Sequence, residues 1–167
     1  SEVRDRAVRS GSAGLIPADG ALPWDPAAPP FDPRDTADRE RLTTREVAQR
    51  FIQLFYVEDN PQDAFTCWMH SHYIQHNPHA PTGRDATLAM MRARMAKYPD
   101  LTHEVKRVVW GDADLVAVHF HFRREPDTRG HAIIDILRIE NGYIVEHWDA
   151  MQEVPDPAAC RNDNGMF

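Results

Sequence analysis

The chain has 167 residues, 42% of them hydrophobic, with a net charge of −7 and two cysteines. That length suits one domain with a single core that needs no disulfide staples. The negative charge argues against a nucleic-acid partner, because phosphate binding needs a basic face. No apolar run is long enough to span a bilayer, and no basic amphipathic helix marks a membrane surface. Cys67 and Cys160 are too few for a disulfide framework and lack the spacing of a zinc site. With no apolar signal-peptide core at the start, the expectation is a cytoplasmic protein.

Residues 1–40 form a Pro-rich N-terminal arm, and 41–167 carry the domain. Pro17, Pro23, Pro26, Pro29, Pro30 and Pro33 prevent the arm from continuing a helix or entering a central strand. Leu15, Ile16, Trp24 and Phe31 suit a segment laid against a surface. Thr43 followed by Glu46 reads as a capping box, and Val47, Phe51, Leu54 and Phe55 then recur at helical spacing. Asn60-Pro61 opens a second helix that runs through Trp68. The stretch HSHYIQHNPHAPTG follows, its second half a loop. A third helix covers Arg84 to Lys97 and turns Leu88, Met91 and Met95 inward until Pro99 ends it.

Leu101 to Trp110 is the first strand of a four-stranded antiparallel meander. The remaining strands lie between Val116 and Pro155, with turns at Arg124–Gly130 and Asn141-Gly142, the latter a strong hairpin signal. Three helices followed by such a sheet give an α+β architecture, with a pocket where the helices close one side. Strand residues two apart share a face, so His119 and His121 point the same way. A hairpin closed at Asp127-Thr128 sets Asp135 opposite one of them. A carboxylate flanked by strand-forming aliphatics, beside an imidazole, suggests acid–base chemistry. His147 and Asp149 share a face of the last strand; Glu146 and Trp148 occupy the other. Because both faces look partly apolar, one is expected to meet the helices and the other a second subunit in a homodimer.

The segments YIQHNP (Tyr73 to Pro78), VAVHFH (Val116 to His121), DILRIENGYIVEHWD (Asp135 to Asp149) and NDNGMF (Asn162 to Phe167) resemble the SnoaL-like, polyketide-cyclase-like family of the nuclear transport factor 2-like superfamily. The resemblance spans Thr43 to Phe167 and implies a cone of three N-terminal helices on a curved antiparallel sheet around a pocket. It further implies cofactor-free aldol-type chemistry, with Asp135 taking a proton alpha to a carbonyl and His121 assisting at the oxygen. Tyr73, His76, Asn77, His119, His147 and Trp148 are the expected substrate-binding residues, for an apolar or carbonyl-containing small molecule.

Two other functions fit the residues. A metalloenzyme could draw Zn or Fe ligands from His72, His76, His119, His121, His147 and Asp135, although no HExxH-type motif is present. A module that binds a small molecule without chemistry is the other. His70, His79, His103 and His131 are expected at surface or edge positions, and Arg92, Arg94 and Lys97 on a solvated helix face. Trp24, Trp68, Trp110 and Trp148 suit core or interface roles.

Overall fold

The computed structural model describes residues 31–167. Most of the Pro-rich arm, Trp24 included, lies outside them. The first helix, α1 (Thr44–Ile52), starts at the expected capping box: the Thr43 hydroxyl accepts the Glu46 N–H, and the Glu46 carboxylate accepts the Thr43 N–H at 2.8 Å. It buries Val47, Phe51 and Ile52, then widens into a π-helical turn over Gln53–Val57. This turn holds Leu54, Phe55 and Tyr56 in succession inside the core. Asn60 caps the Asp63 N–H and Pro61 opens α2 (Pro61–Trp68). Farther on, α3 (Arg84–Lys97) turns Thr87 and Leu88 into the protein. No helix among the described residues is long and apolar enough to cross a membrane.

The sheet has five strands: β1 (Met69–Gln75), β2 (Thr102–Trp110), β3 (Leu115–Arg123), β4 (His131–Glu140) and β5 (Tyr143–Glu153), in the order β1-β5-β4-β3-β2. The four-stranded meander is as expected, and β1 is the addition. It leaves α2 directly and pairs in parallel with β5, setting Ile74 beside Glu146 and Gln75 beside His147. Only Met69 and Tyr73 of this edge strand are buried, so it lacks the alternation that marks a half-buried strand. Asn141 and Gly142 both take positive φ, as a two-residue hairpin of this twist requires.

Register decides what the sheet presents. The β3–β4 hairpin pairs Asp135 with Val118, His119 with Ile134 and His121 with Ala132. Residues directly across a ladder share a face, so Asp135 joins Val116, Val118, Phe120 and Phe122 on the inner side. The expected Asp135–His121 pairing is therefore not formed, because a one-residue slip in register reverses every side chain. Helices and inner face enclose the core. The outer face carries Ala117, His119, His121, Ile134 and Ile136, the last two 44% and 38% exposed.

The described end of the arm is fixed to the domain. The Trp68 indole N–H donates to the Pro33 carbonyl at 2.6 Å, and Arg34 pairs with Glu58 and Asp63. Arg39 donates to the Cys67 carbonyl, its guanidinium 4.3 Å from the Tyr143 ring centre. Its backbone presses so closely on Gly142 that a Cβ there would lie 2.4 Å from the Arg39 carbonyl oxygen.

Candidate active site

A cavity of about 230 Å³ lies between the helices and the inner face of the sheet. Phe51, Phe55, Phe65, Phe120, Phe122 and Met91 make most of it apolar. Strand alternation supplies the polar wall: Asp135 from β4, His147 and Asp149 from β5, Tyr73 and Gln75 from β1. Asp135 is 8% exposed, His147 9% and Tyr56 2%.

These groups form one hydrogen-bonded chain. The Tyr56 hydroxyl donates to Asp135 Oδ2 at 2.5 Å, and His147 Nε2 lies 3.1 Å from Asp135 Oδ1. On the other side of the ring, His147 Nδ1 is 2.8 Å from Gln75 Oε1, which also accepts the Asn77 N–H at 2.9 Å. The Gln75 amide nitrogen in turn donates to the Tyr73 hydroxyl at 2.7 Å. Gln75 Oε1 can only accept, so Nδ1 of His147 carries a proton. The carboxylate at Nε2 favours a second proton there, which would make the ring an imidazolium paired with Asp135.

The electrostatics agree with this assignment. Burial disfavours charge on the His147 ring, but the carboxylates of Asp135 and Asp149 outweigh it and raise its pKa above the ordinary 6.5. Burial and then the Asp135 charge push the Tyr56 phenol far up, so it stays a donor. Burial raises the Tyr73 phenol too. The hydroxyl proton of Tyr73 has no acceptor among the described residues, and the side chain lines the cavity. Asp149 accepts from the Asn77 amide at 2.5 Å and faces Asp135 across the β4–β5 ladder.

Of the expected site residues, Asp135, Tyr73, Asn77 and His147 meet in this cavity. The others do not. His121 lies on the outer face, where its Nε2 meets the Arg129 carbonyl at 2.6 Å and its ring lies 4.5 Å from that of Phe167. His119 is beside it, also against Phe167. Trp148 faces outward from β5, and His76 stacks on it at 4.9 Å while contacting Glu146 at 2.7 Å. His72 is exposed on the edge strand. The histidines expected as a ligand set are thus divided between two faces and an edge, so no such site forms from them. Ligand atoms of Asp135, His147 and Asp149 do lie within 4.8 Å of one another, and these three could hold a divalent cation.

Tyr56 was not expected here. The π-helical turn brings it inward, and a 3.6-residue period cannot anticipate that. Gln75 belongs to the strand that the sequence pattern hides. Arg94 does not sit on a solvated face: with Thr87 and Met91 it forms a stripe at helical spacing along the cavity. His103 does lie on an edge strand, β2, but it turns inward, its side chain being 9% exposed with Nδ1 2.9 Å from Asp59.

The family model described as the SnoaL-like domain matches residues 48–147, more than half of the chain. No curated protein is similar enough in sequence to match. Among solved structures, TsrD from Streptomyces laurentii is 26% identical, with 64% of this chain and 89% of that one covered at a TM-score of 0.51. A SnoaL-like polyketide cyclase from Agrobacterium tumefaciens is 17% identical, with 68% and 94% covered and a TM-score of 0.53. A cystatin-fold protein from Novosphingobium aromaticivorans, 15% identical, covers 65% of this chain and 98% of its own at 0.55. The last two likenesses bear on fold alone. With its helices packed on one face of the five-stranded sheet and the family model spanning both, the chain belongs to the SnoaL-like family.

Proposed function

We propose that the protein is a small-molecule lyase, cyclase or isomerase in which Asp135 removes a proton alpha to a carbonyl. One observation carries this reading: a buried carboxylate sits in a mostly apolar cavity, and among the described residues each of its oxygens is held by a single donor, Tyr56 or His147. A carboxylate offers about four acceptor sites, so two remain for a substrate C–H. The C–H bond breaks, its proton goes to Asp135, and its electron pair moves to the carbonyl oxygen. Tyr73, with a free hydroxyl proton beside the cavity, donates to that developing enolate oxygen. Tyr73 thus takes the role first expected of His121, and His147 stands beside Asp135, balancing its charge and fixing its orientation. In a closure the enolate carbon attacks a second carbonyl, whose π electrons move to its oxygen, and that oxygen takes the proton from Asp135. In an isomerisation Asp135 returns the proton to a different carbon of the delocalised enolate. Proton transfer of this kind needs geometry and tuned basicity rather than a cofactor.

The test is α-proton exchange in D₂O, followed by proton NMR over a panel of β-ketoesters and related carbonyl compounds. Exchange should be lost in Asp135→Asn with melting temperature retained, and undiminished exchange in that variant would overturn the assignment. A second reading follows from the closeness of Asp135, His147 and Asp149. Near-stoichiometric zinc or iron in the purified protein, lost in His147→Ala, would make these residues ligands instead. We also infer a homodimer through the outer face, where Ile134, Ile136 and Trp148 give an apolar surface.

A further inference from the structure

Two arginines line the cavity, Arg94 from α3 and Arg124 from the β3–β4 turn. Arg94 is half-buried, with its guanidinium 5.9 Å from the centre of the Phe122 ring. Arg34, Arg84, Arg129 and Arg138 each hold a carboxylate in an ion pair. Among the described residues, no carboxylate forms an ion pair with Arg94, although Asp135 and Asp149 act on it through space. Arg124 lies over the Tyr98 ring at 5.7 Å and likewise has no carboxylate partner among them. Burial and then the like charge of Arg124 lower the Arg94 pKa, yet a guanidinium remains ionised. The helix wall of an apolar cavity therefore presents a partly dehydrated cation, while Asp135 stands on the sheet wall.

We propose that Arg94, with Arg124 at its edge, binds a carboxylate of the substrate, so that the substrate is an apolar carboxylic acid whose acidic C–H is turned towards Asp135. The proposal rests on the reading that this cavity is the substrate site, and it adds the substrate's chemical class. A planar guanidinium matches a carboxylate in a two-pronged contact. Phosphate is disfavoured because Asp135 and Asp149 share the cavity and repel a dianion more than a monoanion. In size, about 230 Å³ compares with the roughly 150 Å³ cavity that accepts benzene, so a body of one or two rings fits.

The experiment is calorimetric titration of the full chain with 2-naphthoate, its neutral amide 2-naphthamide, and 2-naphthyl phosphate. Wild type should prefer the carboxylate to the amide by about tenfold or more, the range of one charge-assisted contact. In Arg94→Met that preference should fall to within about twofold while amide binding persists, which shows the cavity intact. Arg94→Lys should restore part of it, and Arg124→Met should weaken it less. Equal affinity for acid and amide in wild type, a preference that survives Arg94→Met, tighter binding of the phosphate, or no binding of any probe would each overturn the proposal. Naphthoate has no acidic C–H, so its binding is independent of the proton-transfer reading. Intact carboxylate selectivity together with undiminished exchange in Asp135→Asn would count against the role of Asp135 alone.

Discussion

The two faces of the β3–β4–β5 sheet carry the same kinds of residue and put them to different uses. On the inner face His147 lies against Asp135, Tyr56 completes the carboxylate, and apolar rings surround the group. On the outer face His121 meets a backbone carbonyl and the Phe167 ring, and His76 lies flat on Trp148 beside Glu146. A histidine near a carboxylate is thus present on both sides. What separates them is enclosure. The inner pair has lost its water and faces a cavity, so its charges act on whatever enters; the outer contacts are structural.

Breaking the inner face should have the largest effect. Asp135→Asn keeps the shape of the side chain but removes the base, and exchange should fall by about 10²–10⁴-fold in the NMR assay. Tyr73→Phe removes one donor to the enolate oxygen and should lower the rate by about 10²-fold or more, without moving the melting temperature appreciably. His147→Gln should cost about 1–3 kcal/mol of stability in chemical denaturation. That cost depends on pH. Because the folded-state pKa of His147 is raised above 6.5, its contribution is complete below that value and disappears as pH rises through the raised one. The stability gap between wild type and His147→Gln should therefore narrow towards alkaline pH. The same substitutions outside should do least: His121→Ala and His119→Ala should leave exchange within about twofold. Ile136→Glu, by contrast, should act on assembly, shifting the proteins from dimer to monomer in light scattering.

The fold was legible wherever its signals were local. The Thr43–Glu46 capping box, the Asn60-Pro61 helix start and the Asn141-Gly142 turn each state their structure within four residues. Strand β1 was not, because an edge strand of polar residues that pairs in parallel leaves no alternation to read. Asp135, Tyr73, Asn77 and His147 were recognisable as polar groups in apolar company. The partner of Asp135 was not, since the seven-residue stretch from Arg124 to Gly130 allows more than one closure and a single step in register exchanges the faces. Arg94 was hidden by its neighbours: Arg92 and Lys97 on the same helix are exposed, and only the spacing from Thr87 and Met91 separates it from them.

The central claim, that the inner-face Asp135–His147 pair is the working ion pair, can be tested without knowing the substrate. The measurement is an NMR titration of the His147 ring nitrogens in wild type and in Asp135→Asn. The expected result is a wild-type pKa above 6.5 that falls when the carboxylate is replaced. An unchanged titration in the two proteins would contradict it, because His147 would then owe nothing to Asp135.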